Sequence, residues 1–89
     1  MRVGWMTEDE VMPYLKALLH HSFKVKVEGQ SEYASSVFLL KHEWFRKSLI
    51  FALELCDNAS AFETFAETFV RRTADRVIRE LASGASQRG

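Results

Sequence analysis

The chain has 89 residues, 47% of them hydrophobic and 12% aromatic, and its 12 Lys+Arg balance 12 Asp+Glu to a formal net charge of +0. That length is one domain near the size at which a single core is only just sufficient, and the charge balance removes the global field that would gather nucleic acid or an anionic membrane. The lone cysteine, Cys56, excludes an internal disulfide framework and fits a reducing compartment; MRVGWMTEDE has no apolar signal region and the longest apolar run is broken by Glu54, so a cytoplasmic protein without a membrane span is expected.

Thr7 followed three residues later by Glu10 is a capping box and predicts a helix over about 8–21, with Val11, Tyr14, Leu15, Leu18 and Leu19 as its core-facing band and Pro13 able to kink it. In SFKVKVEG, Phe23, Val25 and Val27 alternate with Lys24, Lys26 and Glu28, the period-2 pattern of a strand with one buried face. Gly29, Gln30 and Ser31 supply turn chemistry, and Tyr33 to Lys41 can return as a second strand.

The next stretch, HEWFRKSLIFALEL (42–55), reads two ways. As a strand it places Leu49, Phe51, Leu53 and Leu55 on one face; as a helix it aligns Phe45, Leu49, Ala52 and Cys56. A two-stranded sheet alone is marginal, which favours a third strand, while the missing turn signal around Lys41 to Glu43 argues against it. Ser60 with Glu63 forms a second capping box, opening a helix through Phe62, Phe65, Phe69, Val70, Val77, Ile78 and Leu81 to a C-cap at Gly84. The expected organisation is one compact domain over 1–84 and a disordered tail over 85–89. Its fold is α+β, an α-β-β-β-α two-layer sandwich whose antiparallel three-stranded sheet carries both helices on one face. The alternative is a mostly α fold with a β-hairpin, residues 43–56 being helical.

With both helices on one side, the second sheet face is left half-apolar. Phe38, Leu40, Trp44 and Ile50 form its centre and Lys24, Lys26 and Arg46 its rim, a surface suited to a second copy or a larger protein partner. A non-enzymatic protein-binding or self-associating domain, a homodimer or an accessory subunit of a larger protein, is the resulting expectation. Two other functions compete with it. Arg72, Arg76 and Arg79 on the last helix could meet nucleic-acid phosphates, although Arg71, Asp75, Arg76, Arg79 and Glu80 also form ordinary i,i+4 pairs. Phe51, Phe62, Phe65 and Phe69 could hold a small apolar ligand between sheet and helices. His20, His21, His42 and Cys56 are zinc-binding residue types without a compact ligand spacing, and adjacent helical histidines point about 100° apart, so no metal or other cofactor is expected. Glu8, Asp9 and Glu10 are explained by the helix start. No Gly-rich phosphate loop, nucleophile elbow, CxxC or HExxH pattern occurs, which leaves no footing for an enzyme.

Overall fold

A computed structural model describes the backbone of residues 2–88 and the side chains of residues 2–83. It overturns the three-stranded sandwich: the described residues are mostly helical, with four α-helices and one two-stranded sheet among them. The strands β1 (Arg2–Val3) and β2 (Met6–Thr7) pair antiparallel in the register Arg2 to Thr7 and Val3 to Met6. This hairpin turns at Gly4 with φ +61°, a conformation that glycine adopts without strain. A Cβ on Gly4 would stand 2.7 Å from the Leu53 carbonyl oxygen, so the position also needs glycine for close approach.

Helix α1 (Glu8–Ala17) starts where the capping box places it: Glu10 Oε1 accepts from the Thr7 N–H at 3.1 Å and from its hydroxyl at 2.6 Å. The helix runs through Pro13 and then widens into a π-helical turn, Leu18–Ser22, closed by the Phe23 N–H on the Leu18 carbonyl at 2.9 Å. The consecutive Leu18 and Leu19 both enter the core, at 6% and 1% exposure.

The strand expected at Phe23 to Glu28 does not form. Lys24 sits in the left-handed region at φ +52°, which no continuous strand tolerates, and the N–H groups of Val25 and Val27 are satisfied by the Leu19 carbonyl (3.1 Å) and the Ser35 hydroxyl (2.7 Å). The alternation in the sequence is real, since Val27 is buried and Lys24, Lys26 and Glu28 are exposed, but an irregular segment without a strand partner produces it. The second expected strand is helix α2 (Glu32–Leu39). Ser31, taken for a turn residue, is its N-cap, with Oγ accepting from the Ala34 N–H at 3.1 Å.

The ambiguous segment is helix α3 (Glu43–Leu55), as the alternative arrangement had it, although the hairpin lies at the N-terminal end rather than over residues 22–41. Its N-cap is His42, whose Nδ1 accepts from the Phe45 N–H at 3.3 Å. That leaves Nε2 to carry the imidazole proton and donate to Glu80 Oε1 at 2.7 Å, tying the start of α3 to the next helix. Phe45, Leu49, Ala52 and Leu53 are buried, the i, i+4, i+7, i+8 stripe of a core-facing helix. Each fully buried large side chain here stabilises the fold by about 1.5–3 kcal/mol.

Helix α4 (Ala59–Arg88) begins one residue before the expected box: Asn58 Oδ1 accepts from the Ala61 N–H at 2.9 Å. Glu63 instead accepts from the Tyr14 hydroxyl at 2.6 Å, joining α4 to α1. The helix continues past Gly84, the expected C-cap. The expectation of a disordered tail at 85–89 concerns residues whose side chains, and for Gly89 the backbone too, lie outside the described residues. Phe62, Ala66, Val70 and Val77 of α4 close one buried cluster with α1, α2 and α3.

Candidate functional site

Helices α3 and α4 form an antiparallel pair joined by Cys56 to Asn58. Trp44, at the start of α3, stands 5.5 Å ring to ring from Phe69 and 4.5 Å beneath the Arg76 guanidinium, while Leu55 and Cys56, at its other end, share a groove with Phe65. The outer stripe of α3 is Trp44, Ser48, Phe51 and Leu55, and that of α4 is Phe65, Phe69, Arg72 and Arg76, both at three- and four-residue spacing. The groove between them measures about 450 Å³ and is lined by Ser48, Phe51, Ala52, Leu55, Cys56, Phe65 and Phe69.

This face leaves large apolar side chains in water. Phe51 is 61% exposed, Leu55 68%, Phe65 46% and Trp44 43%. A single exposed leucine is ordinary, but four large apolar groups along one helix pair form a contiguous patch. Phe65 stacks on Phe69 at 5.9 Å and Phe69 on the buried Phe45 at 5.6 Å, so a rigid aromatic row anchors the patch to the core.

No family model, curated protein or solved structure matches this chain.

The interface residues expected from sequence do not come together. Leu40 is buried and accepts from Arg46 Nη1 at 2.9 Å through its carbonyl; Phe38 and Ile50 are half-buried; Lys24 and Lys26 lie on the irregular segment before α2, Lys26 donating to the Gln30 carbonyl. Trp44 alone of that set stands on the exposed α3–α4 face. The three-stranded sheet that would have gathered the rest does not form among the described residues. Of the aromatic cluster, Phe62 is fully buried, Phe69 is half-buried, and Phe51 and Phe65 are at the surface, so any apolar ligand would meet an open groove rather than a space between sheet and helices.

Arg72, Arg76 and Arg79 are all exposed on α4. Arg76 pairs with Glu80 at 3.7 Å and Arg71 with Glu67 at 2.9 Å, while Arg72 and Arg79 make no ion pair among the described residues. The zinc-binding residue types are dispersed: His20 and His21 in the π turn after α1, His42 at the start of α3 and Cys56 at its end. The rings of His20 and His21, both in the π turn, stand 4.1 Å apart. No group of three metal-ligating side chains forms among the described residues. No helix among them is long and apolar enough to cross a membrane.

Two ionisable groups are perturbed, and both lie away from the groove. The Tyr14 hydroxyl is held protonated well above the ordinary tyrosine range, by burial first and then by its hydrogen bond to Glu63 and that carboxylate's charge. The Glu10 carboxyl is held below the ordinary carboxylate range by the hydrogen bonds from the Thr7 side chain and backbone. Capping and helix docking account for both.

In the sequence Leu55 reads only as core, and Phe51 as core or as part of an apolar ligand site between sheet and helices. The signal that could have found them is the overfilled helix pattern of α3, which offers more large apolar residues than one buried stripe holds.

Proposed function

We propose that this protein acts by binding another polypeptide through the outer face of α3 and α4, with Phe51, Leu55 and Phe65 as its apolar anchors and Trp44, Lys47 and Arg72 around them. The observation that carries the reading is the exposure of Phe51 and Leu55, 61% and 68%, beside a groove whose floor is fixed by core aromatics. Apolar anchors inside a polar rim are the usual construction of a protein interface. The function is non-enzymatic, and the single Cys56 suits a reducing cytoplasm.

The test is photo-crosslinking in cells expressing the full chain, with a benzophenone amino acid replacing Phe51 or, as a control away from the groove, Arg71. Adducts with a polypeptide are expected from position 51 and not from 71, and they should disappear when Leu55 and Phe65 are changed to Ser. Equal yields from the two positions, or none from 51, would overturn the reading.

A second reading is favoured by one observation: Arg72 and Arg79 carry charges with no ion-pair partner among the described residues. Phosphate binding by them predicts affinity for a fluorescent single-stranded oligonucleotide that collapses with added salt and with Arg72→Ala.

A further inference from the structure

Resting on the protein-binding reading above, we propose that the occupant of the α3–α4 face is a second copy of this chain, packed with α3 antiparallel to its counterpart across a two-fold axis near Phe51. The outer edge of α3 supports this geometry. Lys47 lies four residues before Phe51 and Glu54 three residues after it. Seven residues are close to two helical turns, so Lys47 and Glu54 share one edge of the helix about 10 Å apart, with Phe51 between them.

A two-fold axis perpendicular to α3 at Phe51 reverses the helix direction. It therefore sets Lys47 of each copy opposite Glu54 of the other, twice, and brings the two Phe51 rings together at the centre. An isologous interface requires this self-complementarity, in which residue i meets j and j meets i. Glu54 makes no ion pair among the described residues, and Lys47 is held only by the exposed i,i+4 contact with Glu43 at 3.4 Å, so both are available. The same axis places α4 beside its counterpart near Phe65, drawing Leu55 and Phe65 into the centre.

The area also fits. Trp44, Phe51, Leu55 and Phe65 together leave on the order of 400 Å² of apolar side chain in water, taking 150–250 Å² for a whole aromatic group. A stable interface buries about 800 Å² per partner, somewhat more than half of it apolar. The patch supplies that apolar share, and Lys47, Glu54, Thr68 and Arg72 are exposed around it to supply the rest.

Charge exchange across the axis tests the arrangement. Sedimentation equilibrium and light scattering on the full chain should give a dimer. Lys47→Glu and Glu54→Lys should each weaken it at least about tenfold, because the axis makes every substitution count twice. A mixture of the two single variants, one labelled with ¹⁵N and read by native mass spectrometry, should form the heterodimer in preference to either homodimer. The double variant Lys47→Glu/Glu54→Lys should recover the dimer. Circular dichroism melts of all variants, whose changes lie on the exposed surface, check that the fold is kept. A native chain that stays monomeric at several hundred micromolar overturns the second-copy proposal while leaving the crosslinking test of a different protein partner intact. A dimer whose strength ignores both reversals, or a mixture without preferential heterodimer, overturns the antiparallel α3 pairing.

Discussion

Tyr14 joins α1 to α4 through its hydroxyl on Glu63, with Trp5 edge-on to its ring at 5.6 Å. Tyr14→Phe should destabilise the protein by about 1–2 kcal/mol, the lower part of the range for a hydrogen bond to a charged group because the site is only partly buried. Urea denaturation measures it. The pH dependence follows from the direction of the shift: the folded chain binds the Tyr14 proton more tightly than the unfolded chain, whose tyrosine titrates near 10.0. The stabilisation is therefore whole below that pH and declines as pH rises above it. The alkaline fall in melting temperature should be shallower in Tyr14→Phe. Glu10 carries the opposite sign: its lowered carboxyl contributes above the ordinary carboxylate range and the contribution is lost as acid protonates it. At Gly4, positive φ and the 2.7 Å approach of the Leu53 carbonyl act together, so Gly4→Ala should cost about 1–3 kcal/mol in the same assay.

Among the elements, α1 and most of α4 were legible because each opens with a polar cap and continues as a long apolar repeat. The middle of the chain was not, for reasons that reside in particular residues. Gly29, Gln30 and Ser31 use a vocabulary that turns and helix N-caps share, so Ser31 gave no sign of which it served. His42 caps α3 with an imidazole nitrogen, outside the Ser, Thr, Asp and Asn set by which helix starts are recognised, and this is why no boundary was visible before Glu43. The irregular segment from Lys24 to Val27 imitates a strand because its apolar and charged residues alternate between buried and exposed positions, while its hydrogen bonds go elsewhere. Ser35 makes the decisive one. Fully buried, it accepts from the Val27 N–H at 2.7 Å and donates to the Ser31 carbonyl at 2.7 Å. Ser35→Ala should orphan that amide, lower stability by about 1–3 kcal/mol and raise the hydrogen-exchange rate of the Val27 amide above that of helical amides in α4.

At the scale of the molecule, α3 serves two surfaces with neighbouring residues. Leu53 is fully buried and Phe51 is 61% exposed, two positions apart on the same helix. Leu53→Ala should cost about 2–5 kcal/mol of folding stability, whereas Phe51→Ser, compared at concentrations where the chain is monomeric, should change it by no more than about 0.5 kcal/mol. Parallel thermal melts would separate the two roles, and a large loss in Phe51→Ser would show that its ring belongs to the fold. The core stripe of α3 was visible in the sequence only under the alternative helical arrangement, as Phe45, Leu49 and Ala52, since apolar residues at one helix's inner and outer faces read alike until the neighbouring helices are placed. The two tryptophans divide along the same line. Trp5 is half-buried against Tyr14 with its indole nitrogen sealed from solvent, and Trp44 is 43% exposed under Arg76 on the outer face. The chain thus carries two built-in fluorophores with separate assignments: iodide should quench the long-wavelength emission of Trp44 and spare Trp5, so that one spectrum follows occupancy of the outer face and integrity of the interior in a single unlabelled sample.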